Sequence, residues 1–434
     1  MTNDIRLDSK STRREFLGVA ATAAIAGVSR NVWGDELRPM MHLGAIRRNV
    51  MRREVMDFTA AKTAFQKGKG DVAFLGGSIT EMDGYRPMVC EFLTQKFPET
   101  QFNFIDAGIA STCSDVGAFR LETDVLEKCE QGAPDLFFVE FAVNDDQDGF
   151  FSFEHATRGM EGIIRHIKRS NPLTAIVMTF FVNENLMDKY REGVVPTSVA
   201  AHEAVAKRYG VSTINLAKEI QTQIDAGEIT WGEFGGVHPA PRGNRICADM
   251  IATLLDSAWG VAPSSMACGT RDFPSPIDEF SYSNAGWRGF AGIETNVGSI
   301  SDPNAGEGFR LYTPDWSKIP GGFRGRFAGV PCLCAERPGA EATFEFEGNA
   351  LALYILAGPD AGVVESQIDD GEVVRIDAYH QYSSGLHYPR AVMLADALHA
   401  GTHKATIRLS AEKNECSTGT ALRIMEIAVN RPEI

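Results

Sequence analysis

Four short stretches carry the residue types that acyl transfer needs. Gly76-Gly77-Ser78-Ile79-Thr80 offers a hydroxyl nucleophile on a glycine turn, and Val237-His238-Pro239 offers an imidazole base. Between them, Asp106-Ala107-Gly108 offers a backbone N–H and Ala142-Val143-Asn144-Asp145 a side-chain amide. A nucleophile, a base and donors for a developing oxyanion are the kit for attack on a carbonyl carbon. Each stretch alone has an ordinary use. A serine after a strand caps a helix, a glycine there supplies positive φ, and Asn-Asp is a turn pair. Order and spacing together point to chemistry.

The elements that must position these residues alternate. Short apolar runs at 72–75, 102–105, 136–143, 175–181 and 211–214 are bounded by turn residues, as buried parallel strands are. Between them Val89, Phe92, Leu93 and Phe97 share one helical face, and so do Met160, Ile163, Ile164 and Ile167. A helix over 245–259 closes the pattern. Strand–helix alternation predicts an α/β domain, a parallel sheet covered by helices on both sides, with its ligand at the carboxyl ends of the strands. Ser78, Gly108 and Asn144 each fall just after a run, and His238 just before the closing helix.

Beyond residue 260 the composition changes. Residues 260–340 are rich in Gly, Pro, Ser and Asp; then period-2 runs appear at 342–346, 351–355, 373–376 and 404–409, some separated by turn pairs such as Asp370-Gly371. These predict an all-β sandwich, jelly-roll-like. The expected division is an export signal over 1–34, a lead-in over 35–69, the α/β domain over 70–260 and the β-sandwich over 261–434.

The four blocks, in this order and on this topology, resemble the SGNH (GDSL-like) hydrolases over roughly residues 70–257. The resemblance implies a flavodoxin-like three-layer sheet with Ser78 as nucleophile and His238 as base. It also implies an oxyanion hole from the N–H groups of Ser78 and Gly108 and the Asn144 amide. There is no G-x-S-x-G elbow of the usual α/β-hydrolase. Three positions depart from the family pattern. Gly77 stands where an Asp usually precedes the serine, Ala142 replaces a Gly, and Gly235 occupies the usual place of the triad acid. Glu233 is the nearest acid in sequence, at an offset that commonly faces solvent. The readings are an acid displaced to Glu233, a Ser–His dyad with His238 oriented by a backbone carbonyl, or a disabled site.

The remaining residues bound the setting. The chain has 434 residues, 44% hydrophobic and 23% charged, enough for a large core. Lys+Arg 42 against Asp+Glu 57 gives −15, which argues against a general nucleic-acid binder or docking on an anionic membrane. Ser11-Thr12-Arg13-Arg14-Glu15-Phe16-Leu17 precedes an apolar stretch over 18–28, too short to span a bilayer and like a twin-arginine (Tat) export signal. This predicts a periplasmic or extracellular protein with no membrane span once mature. The eight cysteines do not form a disulfide-scaffold or zinc-like pattern, and no cofactor or metal is expected.

Gly385-Leu386-His387-Tyr388-Pro389 and Ala357-Gly358-Pro359-Asp360 resemble β-sandwich modules of some exported carbohydrate esterases. His387 is read as facing the active-site cleft or as an ordinary loop histidine. Trp287, Tyr379, Tyr382 and Tyr388 are candidates for a sugar-stacking surface, with core packing the commoner use of such residues. The expected activity is a serine esterase removing O-acetyl or other short acyl groups from a carbohydrate. The alternatives are a lipase or lysophospholipase-type acylhydrolase, and a glycan-binding protein that has lost catalysis.

Overall fold

A computed structural model describes residues 51–52, 56–260, 273–301 and 307–432. The export signal and most of the lead-in lie outside the described residues. No described helix is long and apolar enough to cross a membrane.

The first sheet contains β1 (Met51–Arg52), β2 (Lys69–Gly76), β3 (Gln101–Gly108), β4 (Leu136–Glu140), β5 (Ala175–Phe180) and β6 (Ser212–Asn215), in the order β1-β6-β5-β4-β2-β3. The last five are parallel, and β1 runs antiparallel along β6. Every residue of β4 and β5 is buried. That is why these strands read as continuous apolar runs: helices cover both faces. The helix Phe153–Ser170 buries Met160, Ile163, Ile164 and Ile167 completely. Ser152 caps it, and Lys168 and Arg169 in its last turn oppose the helix dipole.

Two boundaries move. The apolar run 136–143 is strand only to Glu140; Phe141 leaves the extended region, and a helix occupies Ala142–Gln147. Ala142 and Val143 are apolar because they are buried at that helix's start, a burial that periodicity does not distinguish from a strand. The closing helix begins at Pro241, four residues before the expected start, with proline's fixed φ at its first turn.

The chain passes from β2 to β3 on one side, then crosses to place β4 on the other side of β2. At such a reversal the connections after neighbouring strands diverge and leave a crevice. Register makes the strand ends level: Gly76 pairs with Gly108 on one side and Glu140 on the other.

The second region has two antiparallel sheets. One holds β10 (Arg310–Tyr312), β11 (Cys332–Ala335), β18 (Leu422–Asn430), β13 (Ala350–Ala357) and β16 (Tyr388–Ala395), with β7 (Ala285–Trp287) on β18. The other holds β15 (Val374–Asp377), β14 (Val363–Ile368), β17 (Gly401–Leu409), β12 (Glu341–Gly348), β8 (Glu294–Thr295) and β9 (Gly298–Ser299). In β12 alternate residues Ala342, Phe344 and Phe346 point into the sandwich core. All of β13 is buried. Leu351, Leu353 and Ile355 face the sandwich core, while Ala350 and Ala352 pack with the core of the α/β part. Small residues there let the sheet approach closely. Trp287 stacks on Tyr354 and lies against Phe119 at the same junction.

Candidate active site

The serine turn is built on glycines for want of room. A Cβ at Gly76 would lie 2.3 Å from Glu140 Oε1, and one at Gly77 would lie 2.2 Å from Asn144 Oδ1. An aspartate at position 77 would therefore collide with the amide. Glu140, fully buried beneath the turn, accepts from the Gly77 N–H at 2.9 Å and from Thr80 Oγ1 at 2.7 Å. Burial pushes its carboxyl up to about 7, against the pull of those hydrogen bonds. Arg120, also buried, donates to Gly76 O (3.0 Å) and Ala107 O (2.6 Å), tying the ends of β2 and β3 together, and pairs with Asp124 at 3.0 Å.

Ser78 opens the short helix Ser78–Glu81, and its Oγ lies 2.8 Å from His238 Nε2. Residues 160 apart in sequence thus meet at hydrogen-bond distance. His238 follows the turn Gly235-Gly236, with φ of +107° and +80°. A Cβ at Gly235 would lie 1.9 Å from the Ala240 backbone nitrogen. Glycine is required there on both counts, so this turn does not accommodate an aspartate. The His238 ring stands partly open to solvent, and among the described residues Nδ1 has no hydrogen-bond partner. Partial burial, and secondarily the charge of Arg324, hold its pKa below the usual value.

Glu233 is not directed to His238. Its Oε2 accepts from the Thr230 backbone N–H and hydroxyl at 2.8 and 2.9 Å, closing a capping box, and its Oε1 accepts from Arg242 at 2.9 Å.

Asn144 lies on the first turn of the helix Ala142–Gln147. Its Nδ2 donates to Asp148 Oδ2 at 2.8 Å, which leaves the second amide hydrogen. Burial pushes Asp148 up to about 6. The Gly108 N–H points to Asp106 Oδ1 at 3.0 Å, so this donor already has an acceptor. The segment after β3 is held from the second region. Arg324 donates to Ala110 O (3.1 Å) and Ser111 Oγ (2.7 Å); Arg326 donates to Gly108 O (3.0 Å) and pairs with Glu81. Sequence reasoning gave neither arginine a role, because nothing local links them to residues 108–111.

Asp145, beside Asn144, is a buried anchor: it accepts from Ser114 N and Oγ and lies 2.9 Å from His202 Nε2. His387 is buried in the second region, 3.1 Å from Pro320 O and edge-on to Trp316, as a structural histidine. Of the four aromatics considered for stacking, Tyr388 is buried against His380, Trp287 and Tyr379 are partly buried, and Tyr382 is exposed. The described cysteines are unpaired thiols, and Cys268 lies outside the described residues. No group of three or more His, Cys, Asp or Glu side chains among the described residues is placed to hold a metal ion.

A catalytic-type Ser–His contact at the carboxyl end of a parallel sheet now meets a sequence match. Residues 74–246 match the GDSL-like Lipase/Acylhydrolase family. The match covers all four blocks, and the chain is a hydrolase acting on carboxylic ester bonds. No curated protein matches the hydrolase. Two crystal structures of a two-domain esterase (CEX) active on acetylated mannans resemble it over both regions. One, co-crystallised with mannopentaose, has a TM-score of 0.69 at 22% identity, covering 89% of this chain and 97% of that one. The other has the same TM-score and identity over 88% and 97%. At that identity the likeness is one of fold. Axe2, an acetylxylan esterase from Geobacillus stearothermophilus, matches at 20% identity over 43% of this chain and 95% of its own, with a TM-score of 0.34.

Proposed function

We propose that the hydrolase is an exported carbohydrate esterase that removes O-acetyl or other short acyl groups by Ser78–His238 nucleophilic catalysis. The observation that carries this reading is the 2.8 Å contact between Ser78 Oγ and His238 Nε2 at the strand ends. With its hydrogen on Nδ1, His238 accepts the serine proton at Nε2 as Oγ attacks the ester carbonyl. The carbonyl oxygen becomes an oxyanion. Ser78 N–H, at the start of a helical turn where backbone donors lack intrahelical partners, and the second Asn144 amide hydrogen are its donors. Gly108 N–H joins them by sharing or leaving Asp106. As the intermediate collapses and its bond to the sugar oxygen breaks, His238 gives the proton to that oxygen, so the sugar leaves as an alcohol and the acyl group stays on Ser78. The same ring deprotonates the water that hydrolyses the acyl-serine, releasing acetate and restoring Ser78.

In this reading the pair is a dyad. An acid fixes the tautomer of a triad histidine and stabilises its charged form; here partial burial and Arg324 favour the neutral ring instead. The fold likeness to a mannan esterase, the division near residue 260 into hydrolase and sandwich, and the Tat-like signal support a glycan substrate outside the cytoplasm. Missing triad acid and occupied Gly108 N–H favour a second reading, a glycan-binding protein without catalysis. Hydrolysis of p-nitrophenyl acetate and acetate release from acetylated mannan separate the two. The esterase reading requires turnover by the mature protein that falls to background in Ser78→Ala and His238→Ala. Inert wild-type protein that binds deacetylated mannan supports the second. A rate that rises with acyl chain length would point instead to a lipase-type acylhydrolase.

A further inference from the structure

A cavity of about 610 Å³ opens where the helix Ala142–Gln147 and the helices Glu184–Arg191 and Thr197–Tyr209 meet the 381–382 segment of the second region. Its size suits a small-molecule or glycan site. It begins at Asp146 and Gln147, less than one helical turn (~5 Å) along the helix from Asn144. From the second region, Gln381 reaches it by donating to Gln147 O at 3.1 Å.

Two aromatics line this cavity while exposed: Phe150 at 69% and Tyr382 at 47%. Phe150 also has φ of +49°, in the left-handed region that disfavours a bulky side chain. An exposed phenylalanine in an unfavourable backbone contributes little to folding, and such outliers collect at binding sites. Phe151 adds a third, partly buried ring, and the remaining lining is polar but electrically balanced. Lys189 pairs with Asp146 at 3.0 Å, and Asn185 donates to the same carboxylate at 2.7 Å. Balanced charge gives no counter-ion for a uronate, and rings interleaved with charges and carboxamides suit an amphipathic ligand better than an acyl chain. Flat aromatic faces beside carboxamides suit the apolar faces and hydroxyls of a neutral sugar.

We infer that this cavity is a glycan subsite, in which Phe150 and Tyr382 stack on a neutral pyranose of the chain whose acyl group lies at Ser78. The inference rests on the carbohydrate-esterase reading for its link to catalysis, though not for binding itself. Phe150 and Tyr382 act there on specificity and take no part in the bond-making steps.

The test uses Phe150→Gly and Tyr382→Ala in the full chain, each also combined with Ser78→Ala. Stacked aromatics at a binding centre typically account for about tenfold in affinity each. Both single variants should keep wild-type kcat/KM on p-nitrophenyl acetate and lose about tenfold on acetylated mannan through KM. Ser78→Ala should bind mannopentaose by calorimetry, and each added substitution should weaken that binding about tenfold. Phe150→Gly should also raise Tm, because glycine relieves the left-handed strain; this separates lost stacking from damaged folding. Unchanged polymer kinetics in both variants overturns the subsite, as does mannopentaose binding that ignores both substitutions. Tighter binding of trigalacturonate than of mannopentaose overturns the neutral-sugar assignment. If p-nitrophenyl acetate is not turned over, the esterase reading fails, and the binding arm alone decides the subsite.

Discussion

The two halves of the Ser–His pair are built differently. Ser78 sits over buried polar groups: Glu140 and Arg120 hold the backbone around it, and glycines at 76 and 77 let a carboxylate and an amide press against the turn. His238 is exposed and follows a half-buried double-glycine turn, with no acid on Nδ1 among the described residues, and its electrostatics are set partly by Arg324 of the second region. One half is held in place by the α/β sheet; the other is tuned from across the molecule. Rigid placement thus belongs to Ser78, the proposed nucleophile, and to Asn144, the proposed oxyanion donor. These are the groups whose geometry must match the transition state.

The largest effects should come from removing either half. Ser78→Ala and His238→Ala should each lower kcat on p-nitrophenyl acetate by about 10⁴ or more, and the double variant should lose no more than either single. That non-additivity is the signature of two groups acting as one unit. Additive losses would mean that His238 works on something other than Ser78.

Next is the buried side. Glu140 has a folded pKa of about 7 against an ordinary 4.5, because burial disfavours its charge and Asp145 adds to the effect. The folded state therefore holds this proton more tightly than the unfolded state does. The associated stability is present in full below pH 4.5 and is lost as pH rises through about 7, amounting to roughly 3 kcal/mol. Glu140→Gln cannot ionise, yet its Oε1 can still accept from Gly77 and Thr80. Denaturant titrations across that window should show a flatter stability profile than wild type while esterase activity persists. An unchanged profile would show that Glu140 carries its proton alike in both states.

How much of this was legible follows the same divide. The serine turn, Gly108 and Asn144 could be read because each lies at or shortly after the carboxyl end of a strand, and strands buried on both faces announce themselves as apolar runs. His238 could be read from its place before the closing helix. The β-sandwich strands over 342–346 and 404–409 showed through alternation. In contrast β18, with the sequence Leu-Arg-Ile-Met-Glu-Ile-Ala-Val-Asn, hides because most of it is buried on both faces, between the sandwich core and the α/β part. Arg324 and Arg326 could not be read, since their partners at 108–111 are more than 200 residues away. Nor could the sequence say why Gly235 replaces an acid; a positive φ and a backbone atom 1.9 Å from a Cβ are facts of the fold.

On the exposed side, Glu233→Gln tests whether the base draws on the nearest acid. Its carboxylate is engaged by Thr230 and Arg242, away from His238. Activity and its pH profile should stay as in wild type, with a slightly lower Tm from the weakened capping box. A drop in kcat of the size that follows loss of a triad acid, about 10⁴, would restore Glu233 as the acid and end the dyad reading.

A shift in pH profile, with little change in plateau rate, probes the link between the two regions. Arg324 places positive charge near His238, which disfavours the imidazolium and lowers the ring's pKa; burial, the larger cause, does the same. Catalysis needs the neutral ring, so kcat/KM falls on the acid side as His238 becomes protonated. Removing the charge in Arg324→Met should raise the pKa and move that acid limb to higher pH, with the plateau rate least affected. Arg324 also donates to Ala110 O and Ser111 Oγ, so the methionine variant alone mixes charge with geometry. Arg324→Lys separates them: it keeps the charge but loses the planar fork. If the lysine variant retains the wild-type acid limb while the methionine variant shifts it, the second region tunes the base through its field. If both shift alike, the fork's hold on residues 110–111 positions the site, and the electrostatic account of His238 gives way to a mechanical one.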